Sequence, residues 1–177
     1  MNYRRAYIEN SKIFITIVTN KRRPILIDNI DLLRDSFRRT KEKIKFEINA
    51  IVILPDHLHM IIQPKEIKKY PAIIKGIKTY FSRNIDETKL EDYELTESRK
   101  HKKEKDIWQR RYWEHTITDE DDLIKHIDYI HYNPIKHGYV KQAKEWEYST
   151  FKKYVKQGLY DENWCDFNDN SEVKIYE

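Results

Sequence analysis

The chain is poor in cysteine, in glycine and in long apolar runs. Cys165 is the one cysteine among 177 residues, so neither a disulfide framework nor a cysteine-based zinc site can be built. Three glycines are too few for a glycine-rich phosphate loop, which argues against the common nucleotide-binding folds. No apolar stretch approaches the roughly 20 residues of a membrane span, so no membrane partner is expected. The opening MNYRRAYIEN lacks the apolar segment of a secretion signal, and a cytoplasmic location is the expectation. What remains is 39% hydrophobic and 36% charged, the balance of a soluble globular chain with a crowded surface. The net charge of +4 decides little, but Lys and Arg come in clusters, and clusters can neutralise phosphates.

One domain is expected over 1–160, with a charged surface insertion at 84–106 and an irregular tail at 161–177. KIFITIVT at 12–19 is apolar on both faces and reads as a central strand. FEINAIVIL at 46–54 and HLHMIIQ at 57–63 read as two further strands, joined as a hairpin through Pro55. Helices are expected over 28–43, capped by Asp28, over 66–83, over 119–133 and around 147–156. Residues 112–117 read as a short strand. Pro134 disfavours helical geometry at Asn133, so the third helix should end there. The order predicts an α+β fold, a ferredoxin-like antiparallel sheet covered by helices on one face.

Two places carry chemistry. In ILPDHLHMII, His57 and His59 project from one side of a strand, because residues two apart share a face. Two imidazoles on a rigid strand are half of a divalent metal site. An isolated pair is more often two surface histidines. In DLIKHIDYIHYNP, helical spacing groups Leu123, Ile127 and Ile130, with Ile124 extending that core face. Tyr129 lies off it, Asn133 one turn on, and His126 and Asp122 near the same line. A phenol, with an unperturbed pKa near 10, attacks a phosphodiester only if a metal polarises the phosphate. Asn133 offers that metal a neutral oxygen. Mg²⁺ prefers oxygen and Mn²⁺ tolerates imidazole better, so either is expected. The competing reading is a tyrosine that borders the core.

The segment 108–113, WQRRYW, interleaves rings with guanidinium groups. Rings stack on unpaired bases and arginines hold phosphates. Trp108 divides evenly between that role and the core, and Trp113 is expected in the core. Arg4, Arg5, Arg22, Arg23, Arg110 and Arg111 are the candidate DNA contacts, with Lys136 and His137 placed to reach a scissile phosphate.

ILPDHLHMII, IWQRRYWEHTI and DLIKHIDYIHYNPIKHGYV together resemble the REP-associated tyrosine transposases, of the IS200-like HUH single-tyrosine family. The resemblance also covers the start of the chain and EWEYSTFKKYVKQGLY. It implies the HUH endonuclease fold, with His57, His59 and Asn133 as metal ligands and Tyr129 as nucleophile. Asparagine matches the REP-associated branch, whereas many insertion-sequence relatives carry glutamine there. The resemblance implies a single-stranded DNA nicking and joining enzyme that forms a 5′-phosphotyrosine on hairpin DNA. It implies a monomer, with a dimer open. Asp56 is either an acceptor that orients a ligand imidazole or a turn residue. The alternative function is a catalytically silent regulator that binds hairpin nucleic acid.

Overall fold

The computed structural model describes residues 7–86 and 105–164. Four strands form one antiparallel sheet: β1 (Ile13–Val18), β2 (Phe46–Ile53), β3 (His57–Pro64) and β4 (Trp113–Thr116). Their order across the sheet is β2-β3-β1-β4. Helix α1 (Ile30–Lys43) joins β1 to β2, and α2 (Tyr70–Asn84) lies between β3 and β4. That is the expected ferredoxin-like βαββαβ arrangement. Helix α3 (Glu120–Lys136) and the short α4 (Phe151–Lys156) follow. No helix among the described residues is long and apolar enough to cross a membrane.

Helices cover both faces of the sheet, not one. Ile13, Ile15, Ile17, Leu58, Met60 and Ile62 join the side chains of α1 and α2 in one core. Phe14, Ala50, Val52, Leu54, Ile61 and Ile130 form a second core under α3. The reason is in the strands: β1 and β3 are apolar at odd and even positions alike, and two apolar faces need two covering layers. A bulge between Ile48 and Ala50 serves the second core. The extra residue moves Ala50 and Val52 from the α1–α2 side to the α3 side, opposite Ile61 and His59. The outer edge of β2 is closed by residues 148–150, where Tyr148 accepts from Ile53 and Thr150 donates to Ile51. Gly76 lets α2 come close to α1, since a Cβ there would stand 3.0 Å from Thr40.

Helix α3 begins as expected. The Asp119 side chain accepts from the Asp122 backbone and caps the first turn. It does not end as expected. Pro134 lies inside the helix, which continues to Lys136, and His137 N–H donates to the Asn133 carbonyl. A proline removes one donor and biases one neighbour, and the following turn still closes. Ile124, expected on the core face, is 49% exposed. Helix α1 opens after Asn29 rather than on Asp28. Residues 87–104 of the expected insertion lie outside the described residues, and its expected last residue, Asp106, is buried.

Candidate active site between strand β3 and helix α3

Sheet register places both histidines under α3. His59 stands opposite Thr16 and Val52, and His57 opposite Val18. Both are buried, at 5% and 3% exposure. Their rings meet edge to face with centroids 5.0 Å apart. Each Nδ1 is engaged. Asp56 Oδ1 lies 2.5 Å from His57 Nδ1, and Thr16 Oγ1 lies 2.8 Å from His59 Nδ1. An ionised carboxylate only accepts, so Nδ1 of His57 donates to Asp56 and Nε2 is its remaining ring nitrogen. The engaged Nδ1 of His59 likewise leaves Nε2 as the outward atom.

Electrostatics keeps His59 unprotonated. Burial, and then the charges of His57, His137, Lys136 and Arg22, pushes the His59 imidazole well below its ordinary value and leaves it neutral. Burial would raise the Asp56 carboxyl, but hydrogen bonding and charge from His57, with Arg22 adding to them, hold it at about 2. Arg22 Nη1 donates to Asp56 Oδ2 at 3.0 Å. Asp56 is therefore bound into the site and is not a bare turn residue.

Helix α3 runs antiparallel to β3 across the pair. The Tyr129 ring packs edge-on to His59, with centroids 5.1 Å apart. Two turns later the His137 ring packs against His57 at the same separation. Asn133 lies midway on the helix, one turn from each, so it overlies the interval between the histidines. It is fully buried, and neither its amide oxygen nor its amide nitrogen has a hydrogen-bond partner among the described residues. Lys136 Nζ lies 5.4 Å from the Tyr129 ring centroid.

The expected DNA contacts divide. Arg110 and Arg111 are exposed. Arg22 sits at the site through Asp56. Arg23 is only 7% exposed and turns its Nε to the Asn20 carbonyl, so it does not line a surface path. Arg4 and Arg5 lie outside the described residues. Trp108 is buried against Phe81. Trp113, expected in the core, is 55% exposed. Sequence reasoning missed Thr16 as a histidine partner, and nothing short of the β1–β3 register could have supplied it. It also missed His115, which with Asp122 and His126 brings one donor atom each to within 4.8 Å.

The paired histidines of β3 lie beneath the helix that carries Tyr129, and the fold around them has known relatives. The family model described as "Transposase IS200 like" matches residues 7–133. An Escherichia coli REP-associated tyrosine transposase is 36% identical over 92% of this chain and 90% of its own length. A Haemophilus influenzae protein assigned to the same group is 42% identical over 98% of this chain and 97% of its own. The chain belongs to the IS200-like transposases, in their REP-associated tyrosine branch. A solved REP-associated tyrosine transposase bound to a REP hairpin superposes with a TM-score of 0.78 at 34% identity, covering 99% of this chain and 94% of that one. The HUH fold expected of the sequence is the fold observed.

Proposed function

We propose that this transposase cuts and rejoins single-stranded DNA beside a REP-type hairpin, through a 5′-phosphotyrosine on Tyr129. The observation that carries the reading is Asn133. An unpartnered buried amide is destabilising unless something else completes it. Here it overlies two histidines whose Nε2 atoms are left for a ligand. Two neutral imidazole nitrogens and one amide oxygen fit a divalent cation and leave its charge uncancelled. Bound by His57, His59 and Asn133, Mg²⁺ or Mn²⁺ would polarise the scissile phosphate.

The remaining groups position and exclude. Asp56 and Thr16 fix the two imidazole planes. Phe14, 6.0 Å from the Tyr129 ring, and His59 confine the phenol to one arc above the sheet. Tyr129 Oη attacks phosphorus, and the bond from phosphorus to the 3′-oxygen breaks. The phenol proton is lost and the departing 3′-oxygen gains one, so the step is balanced. The products are a 5′-phosphotyrosine and a free 3′-OH, and attack by another 3′-OH reverses the step and joins strands. Lys136, whose Nζ lies 5.4 Å from the Tyr129 ring centroid, would hold a phosphate oxygen beside the tyrosine.

The test uses oligonucleotides carrying palindromic repeats of the encoding genome, labelled at the 3′ end and incubated with protein and Mn²⁺. Label should attach covalently to wild-type protein and not to Tyr129→Phe. Equal cleavage by Tyr129→Phe would falsify the proposal. Tight hairpin binding with no adduct under any metal would make the chain a silent hairpin-binding regulator.

A further inference from the structure

One exposed aromatic side chain has a support that ordinary packing does not require. Trp113 lies on the edge strand β4, opposite Thr16, on the α3 side of the sheet. Its ring is parallel to that of His115 within 14°, at 6.1 Å, and His115 is parallel to His126 within 13°, at 4.8 Å. Asp122 fixes both imidazoles. Its Oδ2 lies 2.8 Å from His115 Nε2 and its Oδ1 lies 2.9 Å from His126 Nδ1. Two imidazoles are thus held in one orientation by a single carboxylate, and the stack on them ends in an indole more than half exposed.

The stack is continuous with the reaction centre. Phe14 meets Trp113 edge-on at 5.5 Å and packs on His126 at 4.7 Å. The same phenyl ring lies 5.7 Å from His59. Trp113 is therefore two ring contacts from a proposed metal ligand, a span that one or two nucleotides of single strand can bridge. Exposed Arg110 and Arg111 lie three and two residues before it and offer charge to the backbone of the same strand. Beyond the stack, Glu120 and Asp121 are exposed at the start of α3 and would repel a phosphate. The occupant that fits between arginines and carboxylates is a neutral planar base. A second divalent ion on His115, Asp122 and His126 fits less well. Both imidazole nitrogens already point at the Asp122 carboxylate, and the rings lie parallel.

We propose that Trp113, on its His115–His126–Asp122 pedestal, is a stacking platform for one unpaired base of the substrate strand close to the scissile phosphate. This rests on the single-stranded DNA reading above, and it assigns the recognition of that strand to a surface separate from the chemistry. The platform selects for an unpaired base and not for a particular one, because every base presents a π face.

The experiment measures equilibrium binding of a genomic repeat hairpin carrying its single-stranded extension, in the non-cleaving Tyr129→Phe background. Abasic sites are placed one at a time along the extension. With Trp113 intact, one position should lose about tenfold in affinity when its base is removed, the size of one stack. Trp113→Ala should lose the same factor on intact DNA and become indifferent to the abasic site at that position alone. Trp113→Phe should restore most of the loss, and His115→Ala should reproduce part of it while keeping the indole. Blunt hairpins should bind all variants equally. If every abasic penalty survives Trp113→Ala, the platform does not exist. The outcome is independent of the adduct assay, since a stacking signature without an adduct would retain the platform and reject the phosphotyrosine chemistry.

Discussion

At the residue scale, the proposed metal-binding role of Asn133 carries a cost in stability that can be measured. A fully buried amide without partners costs about 1–3 kcal/mol relative to a satisfied one. Asn133→Leu, similar in volume and apolar, should raise the melting temperature of metal-free protein. It should also abolish the further rise that Mn²⁺ gives the wild type, because a ligand that binds only the folded state stabilises it. A fall in metal-free stability would mean that the amide is satisfied and not awaiting a ligand. His131, on another side of the same helix, is the structural counterpart. Burial pushes its imidazole down to about 3, and Nε2 rests 3.0 Å from Thr150 Oγ1. Its folded pKa is below the unfolded value near 6.5. The neutral form is therefore favoured by folding, and the stability it permits is complete above about pH 6.5 and is lost as pH falls toward 3. Thermal melts from pH 7 to 4 should fall less steeply for His131→Phe than for wild type.

At the scale of elements, the end of α3 sets where His137 meets His57. Gly138 has φ +72° and turns the chain out of the helix, with its N–H donating to the Ile135 carbonyl. Nothing lies within 4 Å of a Cβ there, so Gly138→Ala would suffer only backbone strain. It should destabilise by about 1 kcal/mol in denaturant titration, and weaken Mn²⁺ binding by moving His137 off His57. An unchanged midpoint would show that the turn tolerates another conformation. The same element shows where the sequence was legible and where it was not. Apolar spacing located α3, and spacing placed Tyr129 and Asn133 on one line, because helical period is a local property. The run past Pro134 was hidden, since a preference against helix at one residue is outweighed by closure of the next turn. The two-residue period of β3 put His57 and His59 together. The Thr16 contact, the bulge at Asn49 and the covering of both faces depend on pairing between distant strands, which no local period encodes. Trp113 was misplaced for a related reason: hydrophobicity says that an indole favours burial, and only the edge position of β4 says that burial is not offered.

For the whole molecule, charge distribution matters more than the net +4. The clusters that looked equivalent in sequence take three different roles once folded. Arg22 is tied to Asp56 beside His57, Arg23 is buried, and Arg110 and Arg111 stand exposed next to Trp113. Hairpin binding by a chain that neutralises phosphates should weaken linearly in log–log plots against salt, with each lost contact flattening the slope. Arg111→Ala should reduce that slope by about 1 and leave the melting temperature unchanged. Arg23→Ala should do the reverse, lowering the melting temperature with the slope intact, because its guanidinium meets protein and not solvent. Anisotropy titrations from 50 to 300 mM salt, paired with thermal melts, separate the two. If Arg23→Ala flattened the slope instead, Arg23 would have to leave its buried position to bind, and the DNA path would run over the loop at 20–23 rather than along the edge of β4.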